Sequence, residues 1–191
     1  MKNSIKTIAI VLGLSACAIS AKAQNSAAPQ GVVYSIGQEG GIGVGGFKNT
    51  YKWSTGTSLQ ADIPVAHQVY VTVNAGYTNV FGKNNINGTG FDATNIHLLP
   101  AMAGIKYFPV SSFYVQADAG AGFLLNKHET GFEKSTVFLY TPQVGWQFHL
   151  AGQSYIDAGV RYERTTKFDN LVDNSKLNFI GLRVAYALAV K

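Results

Sequence analysis

The residues from Ser112 to Leu124 read SFYVQADAGAGFL, and apolar side chains occupy every second position. A β-strand has a side-chain period of two, so such alternation places all apolar groups on one face and the polar or very small ones on the other. The stretch therefore predicts a strand with one apolar and one polar face. The apolar set is Phe113, Val115, Ala117, Ala119, Ala121 and Phe123.

Alternation of this kind recurs in eight stretches from Val32 to the end of the chain. The predicted strands cover residues 32–46, 53–63, 68–80, 95–108, 112–124, 136–150, 154–165 and 176–190. Short turns (64–67, 109–111, 151–153) alternate with longer polar loops (47–52, 81–94, 125–135, 166–175). Short turns at one end and long loops at the other are typical of outer-membrane barrels. The pattern predicts an all-β fold, an eight-stranded antiparallel up-and-down transmembrane β-barrel.

The residue types on the polar face distinguish a membrane barrel from a soluble one. A soluble barrel would carry many Lys and Glu side chains on its outer face, whereas this polar face is rich in Gly, Ser, Thr and Asn. Small residues suit the crowded interior of a narrow eight-stranded barrel. Aromatic residues also lie near both ends of the apolar face, as in interfacial girdles. We therefore expect the apolar face to contact lipid, with a soluble lipocalin-like ligand carrier as an alternative.

The first 23 residues have the organisation of a secretory signal peptide. Lys2 and Lys6 precede the apolar run 8–14, and the segment 21–23 provides a small-x-small cleavage site. Cleavage there would remove Lys2, Lys6 and Lys22 but no acidic residue, and would lower the net charge from +5 to +2. The basic character of the chain therefore comes largely from the leader and does not indicate nucleic-acid binding.

The predicted cleavage site divides the chain into three parts. These are the signal peptide (1–23), a short N-terminal segment (24–31) and the outer-membrane barrel domain (32–191). Residues 14–17 also resemble the lipobox of bacterial lipoproteins, which leaves lipidation of Cys17 as an alternative.

Four segments of the predicted strands carry a resemblance to a known family. They are Gly104–Phe108 (GIKYF), Phe113–Ala117 (FYVQA), Pro142–Trp146 (PQVGW) and Gly181–Tyr186 (GLRVAY). The chain resembles the small outer-membrane β-barrel proteins common in the Bacteroidetes, which are similar in architecture to OmpX and to the membrane domain of OmpA. The resemblance implies export to the bacterial outer membrane, contact with outer-membrane lipid and lipopolysaccharide, and recognition of the C-terminal strand by the barrel assembly machinery.

Charged side chains on the polar face are expected to form a network inside the barrel. Buried charges persist when they are paired and hydrogen-bonded. We expect Lys106 to lie nearly opposite Asp118, and Arg183 to lie near Glu39 where the last strand closes on the first. Such a network would close the lumen, although a narrow pore for ions or small solutes is an alternative. The predicted lumen residues are Glu39, Asp62, Lys106, Asp118, His149, Asp157, Arg161, Glu163 and Arg183.

Sequence motifs give little support to catalysis or to cofactor binding. A barrel that modifies lipid needs a serine beside a histidine and an acid, and we find no such set. Residues 41–46 satisfy a dinucleotide-binding spacing, but they lie inside a predicted strand and not before a helix. His128, Glu129 and Glu133 resemble a metal-binding cluster only loosely, because such spacing is common among the solvated polar residues of loops. We predict no enzymatic activity, cofactor or metal, with a lipid-modifying enzyme as a less favoured alternative.

The long loops are the predicted route to function. They contain Phe91, Phe132 and Phe168 alongside Asn, Lys and Asp residues. Exposed aromatic side chains on rigidly held loops suit adhesion or contact with a partner, although such loops can also touch lipopolysaccharide or serve only as caps. The sequence thus predicts a non-enzymatic barrel that acts structurally or through its extracellular loops.

Overall fold

The computed structural model describes residues 29, 31–86, 90, 92–169 and 176–190, in which eight strands form one closed antiparallel barrel. Each strand pairs with the next along the chain, and the last pairs with the first. The predicted fold class is therefore confirmed. The strands are β1 (Val32–Gly43), β2 (Tyr51–Ala66), β3 (Val69–Gly82), β4 (Ile96–Tyr107), β5 (Phe113–Leu124), β6 (Thr136–His149), β7 (Ser154–Thr165) and β8 (Asn178–Val190).

The ladder between β1 and β8 closes the barrel. It runs without a register shift from the pair Val32–Val190 to the pair Gly43–Phe179. Closure matters because an edge strand would expose unpaired backbone N–H and C=O groups, which lipid cannot satisfy.

Three short connections lie at one end of the barrel, which we call the turn end, and four longer ones lie at the other, the loop end. The loop end includes a 3₁₀ helix (Gly45–Asn49) and a short helix α1 (Lys127–Thr130). At the turn end, β2 extends past its predicted boundary and includes Pro64, next to a register shift in its pairing with β3. Proline is tolerated there because an irregular ladder does not need its missing N–H group.

The barrel carries its apolar side chains outward, as the alternation predicts. Ile36 and Leu182 are 61% and 62% exposed, whereas polar residues at the neighbouring positions face inward. Stacked or tilted aromatic pairs lie on the outer surface near both ends, Trp53 with Phe81 and Phe113 with Trp146. The described residues contain no helix with the length and hydropathy needed to cross a bilayer.

The interior of the barrel has three layers along its axis. Ionic and polar side chains fill the middle, and two small apolar clusters, one around Tyr70 and one around Val33, lie at the turn end. A larger apolar cluster, which we call the apolar plug, fills the loop end; the sequence analysis did not predict it. The apolar plug consists of Phe47, Tyr51, Val80, Ile96, Leu98, Leu124, Val137, Phe168, Leu177 and Phe179.

Several predictions concern residues outside the described part of the chain. They are the signal peptide 1–23, the alternative lipidation of Cys17, most of the segment 24–31, and the loop residue Phe91.

Replacing Val184 by Arg tests the orientation of the outer face. Val184 is the middle residue of β8 and points outward. In a bilayer we expect Val184→Arg to lower the free energy of unfolding by about 2–4 kcal/mol, because a cation near the midplane must leave water. Urea titration of the barrel refolded in lipid vesicles measures this change, and Val184→Leu is the matched control. A Val184→Arg barrel as stable as the parent would contradict a lipid-facing surface.

Candidate functional site

Lys106 lies at the centre of the ionic layer. It points inward from β4, its side chain is 1% exposed, and its Nζ lies 2.7 Å from Oδ2 of Asp62 and 3.1 Å from Oδ2 of Asp157. The ammonium group also lies 4.3 Å from the ring centroid of Tyr114. One cation therefore links strands β2, β4, β5 and β7 across the lumen.

Asp157 is the acidic counterpart of Lys106. Tyr114 Oη donates a hydrogen bond of 2.6 Å to its Oδ1, and Gln147 Nε2 donates one of 2.9 Å to its Oδ2. Arg183 Nη1 lies 3.7 Å from Oδ1. Because hydrogen bonds and two cations surround this carboxylate, its burial is compensated.

The Tyr114 phenol fits into the lumen because the facing positions on β6 and β7 are glycines. Tyr114 pairs with Gly145, which in turn pairs with Gly159. A Cβ atom on Gly159 would lie 2.7 Å from Tyr114 Oη. Tyr114 is not among the predicted lumen residues, although a tyrosine on the polar face opposite two glycines is the signal that the sequence offers.

A second group of ion pairs surrounds Glu39. Its Oε1 lies 2.7 Å from Arg161 Nη1 and 3.6 Å from Arg183 Nε. Arg183 is fully buried, and it also donates hydrogen bonds of 3.1 Å to Ser58 Oγ and 3.0 Å to Ser35 Oγ. Closure of β8 on β1 pairs Arg183 with Glu39 in the ladder and thereby brings these groups together.

Asp118 does not face Lys106, so that predicted pair is wrong. The β4–β5 register places Asp118 opposite Gly104 and Lys106 opposite Gln116. Asp118 accepts hydrogen bonds from Thr72 Oγ1 and from Gln116 Nε2. Neutral donors therefore surround this carboxylate, and Lys106 reaches across the lumen to acids on other strands.

His149 does not lie in the lumen, contrary to the prediction. It is the last residue of β6, is exposed at the turn end, and pairs with Tyr155 and not with Asp157. Its Nε2 lies 2.9 Å from the carbonyl oxygen of Gly152. The alternation assigns the correct side of the strand, but the side chain lies beyond the rim of the barrel.

Phe168 is buried, so its predicted exposure at a loop surface is wrong. It belongs to the apolar plug, and its ring stacks on that of the partly buried Phe132 with centroids 5.2 Å apart. The backbone N–H of Lys134 donates a hydrogen bond of 3.0 Å to the carbonyl of Phe168, which joins the two loops. These aromatic residues brace the loop end from inside.

Glu163 and Arg161 complete the set of predicted lumen residues. Both point inward from β7 and are buried. Arg161 donates hydrogen bonds of 2.9 and 2.8 Å to Oε1 of Gln143. Glu163 lines a small cavity together with Glu39 and Arg161.

The described residues offer little reactive chemistry. Among them, no group of three His, Cys, Asp or Glu side chains has the geometry of a metal cluster. In this part of the chain, the hydrogen bonds of histidine side chains join His97 to Tyr77 and His149 to the carbonyl of Gly152, and neither involves a serine. The site is therefore a network of paired charges enclosed between two apolar layers.

Comparison with known proteins agrees with this architecture. A family model described as outer membrane protein beta-barrel domain matches residues 9–187. No curated protein matches the chain.

Three solved structures are similar in fold. The solid-state NMR structure of outer membrane protein AlkL in DMPC bilayers has a TM-score of 0.52 and 17% identity, covering 88% of this chain and 94% of that one. OprG from Pseudomonas aeruginosa has a TM-score of 0.50 and 14% identity, covering 86% of this chain and 99% of that one. Yersinia pestis Ail in a phospholipid bilayer nanodisc has a TM-score of 0.52 and 18% identity, covering 82% of this chain and 98% of that one. At these identities the likeness concerns the fold alone.

Replacing Lys106 by Met tests the ionic layer. The variant leaves Asp62 and Asp157 without their shared cation, so we expect a loss of about 3–5 kcal/mol in the free energy of unfolding. Lys106→Met combined with Asp157→Asn should recover part of that loss, because one unpaired charge is then absent. Urea titration measures both variants, and Lys52→Met, at an exposed lysine, is the control, with a change within about 0.5 kcal/mol. Equal effects at the two lysines would contradict a central role for Lys106.

Proposed function

We propose that this chain, which belongs to the outer membrane protein β-barrel domain family, is a closed barrel that acts through its extracellular loop end and not by catalysis. The observation that carries the proposal is the layering of the lumen. A layer of ion pairs around Lys106 fills the middle, and the apolar plug fills the loop end. An ion moving along the axis would have to break buried salt bridges and then cross a hydrocarbon-like layer, both of which are costly.

The distribution of surface charge supports a role for the loop end. Within the described residues, the turn end carries no Lys, Arg, Asp or Glu side chain. The loop end carries eight basic and four acidic side chains. The basic ones are Lys48, Lys52, Lys83, Lys127, Lys134, Arg164, Lys167 and Lys176, and the acidic ones are Asp92, Glu129, Glu133 and Asp169.

Three of these lysines belong to two neighbouring backbone segments at the loop end, close to an aromatic pair. The backbone N–H of Lys83 donates a 2.9 Å hydrogen bond to the carbonyl of Thr50, so the Lys83 backbone lies beside the segment that contains Lys48 and Lys52. On the outer surface just below, the rings of Trp53 and Phe81 stack with centroids 4.2 Å apart. Lysines above an aromatic girdle suit a lipid whose headgroup is anionic.

The partner that fits this surface is the phosphorylated outer-leaflet lipid, lipopolysaccharide. Phe132 and Phe168 brace the apolar plug, so in this proposal the charged residues carry the contact. In this proposal the barrel is a rigid mount that holds a basic loop surface at the outer leaflet.

Planar-bilayer recording tests the closed lumen. We expect no discrete conductance steps from the purified barrel across a range of voltages, because the apolar plug and the ion pairs block the axis. Bilayers that receive the same detergent without protein are the control. Reproducible single-channel steps from the protein would favour the alternative of a narrow pore.

Neutralising three loop-end lysines tests the lipid contact. We expect Lys48→Gln, Lys52→Gln and Lys83→Gln together to weaken binding to lipid A by roughly a hundredfold, since each lysine near an anionic surface contributes about 1 kcal/mol. Titration of the nanodisc-held barrel with fluorescent lipid A gives the affinity, and dephosphorylated lipid A shows whether phosphate is recognised. The three Lys→Arg changes keep the charge and are the matched control. Equal affinity in the Gln and Arg variants would refute the proposed contact.

A further inference from the structure

A small polar cavity lies inside the barrel, between the ionic layer and the apolar plug. Its volume is about 20 Å³, and polar side chains of Glu39, Ser54, Thr78, Arg161 and Glu163 contribute to its lining. A volume of this size holds one water molecule or one small ion. The cavity is therefore a candidate binding site that the loop-end function does not use.

Glycines keep this cavity open. A Cβ atom on Gly41 would lie 3.0 Å from Ser54 Oγ, and one on Gly56 would lie 3.0 Å from Thr78 Oγ1. At Gly181, which also lines the cavity, a Cβ atom would lie 2.9 Å from the carbonyl oxygen of Gly40. Larger side chains at Gly41 and Gly56 would crowd the hydroxyl groups that face the cavity, and one at Gly181 would press on the backbone of β1.

Three polar side chains around the cavity are buried without a partner among the described residues. Ser54, Thr78 and Glu163 are 7%, 8% and 8% exposed. The two hydroxyls make no side-chain hydrogen bond to that part of the chain, and the Glu163 carboxylate makes neither a hydrogen bond nor an ion pair with it. Buried polar groups normally have a partner, whether protein, water or ion.

The charge of the lumen indicates what kind of partner is missing. Five carboxylates face three cationic side chains in the described lumen. Arg161 is paired with Glu39, which it contacts at 2.7 Å. Lys106 is shared by Asp62 and Asp157, and Arg183 is shared by Asp157 and Glu39. Glu163 therefore makes no ion pair within the described residues, and Arg161, the cation beside it in the cavity lining, is already paired with Glu39. The carboxylates are Glu39, Asp62, Asp118, Asp157 and Glu163, and the cations are Lys106, Arg161 and Arg183.

We propose that the cavity binds one small hard metal cation of the Na⁺ or Ca²⁺ kind. Carboxylate and hydroxyl oxygens are the ligands that such cations prefer. A water molecule would satisfy the hydroxyls but would leave the excess negative charge in place. The proposed ligands are Glu39, Ser54, Thr78 and Glu163, so the ion links β7 to β1, β2 and β3 across the lumen.

Thermal unfolding of the full barrel in a zwitterionic detergent, free of lipopolysaccharide, tests this site. The barrel is placed in tetramethylammonium chloride, whose cation is too large for the cavity, and Na⁺ or Ca²⁺ replaces it at constant ionic strength. We expect one of the two metals to raise the unfolding midpoint in a saturable way. At a hundred times the dissociation constant the rise should be about 5–10 °C.

Three variants separate this site from general salt effects. Glu163→Gln removes a proposed ligand and should abolish the metal-dependent rise. Asp118→Asn removes a lumen carboxylate that does not line the cavity, so the rise should persist. Gly41→Ala keeps every charge but crowds Ser54, so it should weaken the metal response and provides a second test if Glu163→Gln does not fold.

Two results would overturn the proposal. One is an unfolding midpoint that neither metal changes in the parent barrel, which would mean that Glu163 is satisfied by a proton or by water. The other is a metal-dependent rise that persists in both Glu163→Gln and Gly41→Ala, which would place the ion elsewhere. Neither result bears on the loop-end contact with lipid A, which is measured separately.

Discussion

The narrowness of the lumen is the constraint on which the rest of the structure depends. Eight strands enclose so little space that an inward side chain meets residues from across the barrel instead of bulk water. A charge placed there needs an opposite charge or hydrogen-bond donors within reach. Lys106 meets this requirement through Asp62 and Asp157 on two other strands, and Arg183 meets it through Glu39, Asp157 and two serines. The polar interior thus holds opposite sides of the barrel together.

The sequence predicts those parts of the architecture that follow from local chemistry. Period-two alternation is a property of each strand alone, so it identifies the eight strands, the lipid-facing surface and the side on which each charge lies. Closure of an eight-stranded meander makes the first and last strands neighbours. That topology was enough to predict that Arg183 lies near Glu39.

Contacts that depend on register and on side-chain reach are not local, and the sequence analysis missed them. Lys106 and Asp118 share a hairpin, but the β4–β5 register offsets them, and the long lysine side chain spans the lumen instead. The apolar plug was missed because alternation weakens at the loop end, where runs such as Val137–Tyr140 are apolar on both faces. In this barrel Val137 and Leu139 are buried inside, whereas Phe138 and Tyr140 lie on the apolar outer surface, so such a run indicates apolar surroundings on both sides of the strand. The same plug explains why Phe168 is buried although it lies in a polar loop.

The difference between the two rims has a consequence for how the barrel enters a bilayer. The described residues of the turn-end rim carry no charged side chain, so they cross hydrocarbon at much lower electrostatic cost than the many ammonium and carboxylate groups of the loop-end rim. In spontaneous insertion the turn end would therefore enter the bilayer first, and the loops would stay on the side from which the protein is added. Secretion from the inner side of a membrane requires the opposite direction, in which the charged loops travel first. Insertion from the inner side therefore requires a catalyst that carries the charged loops across the membrane.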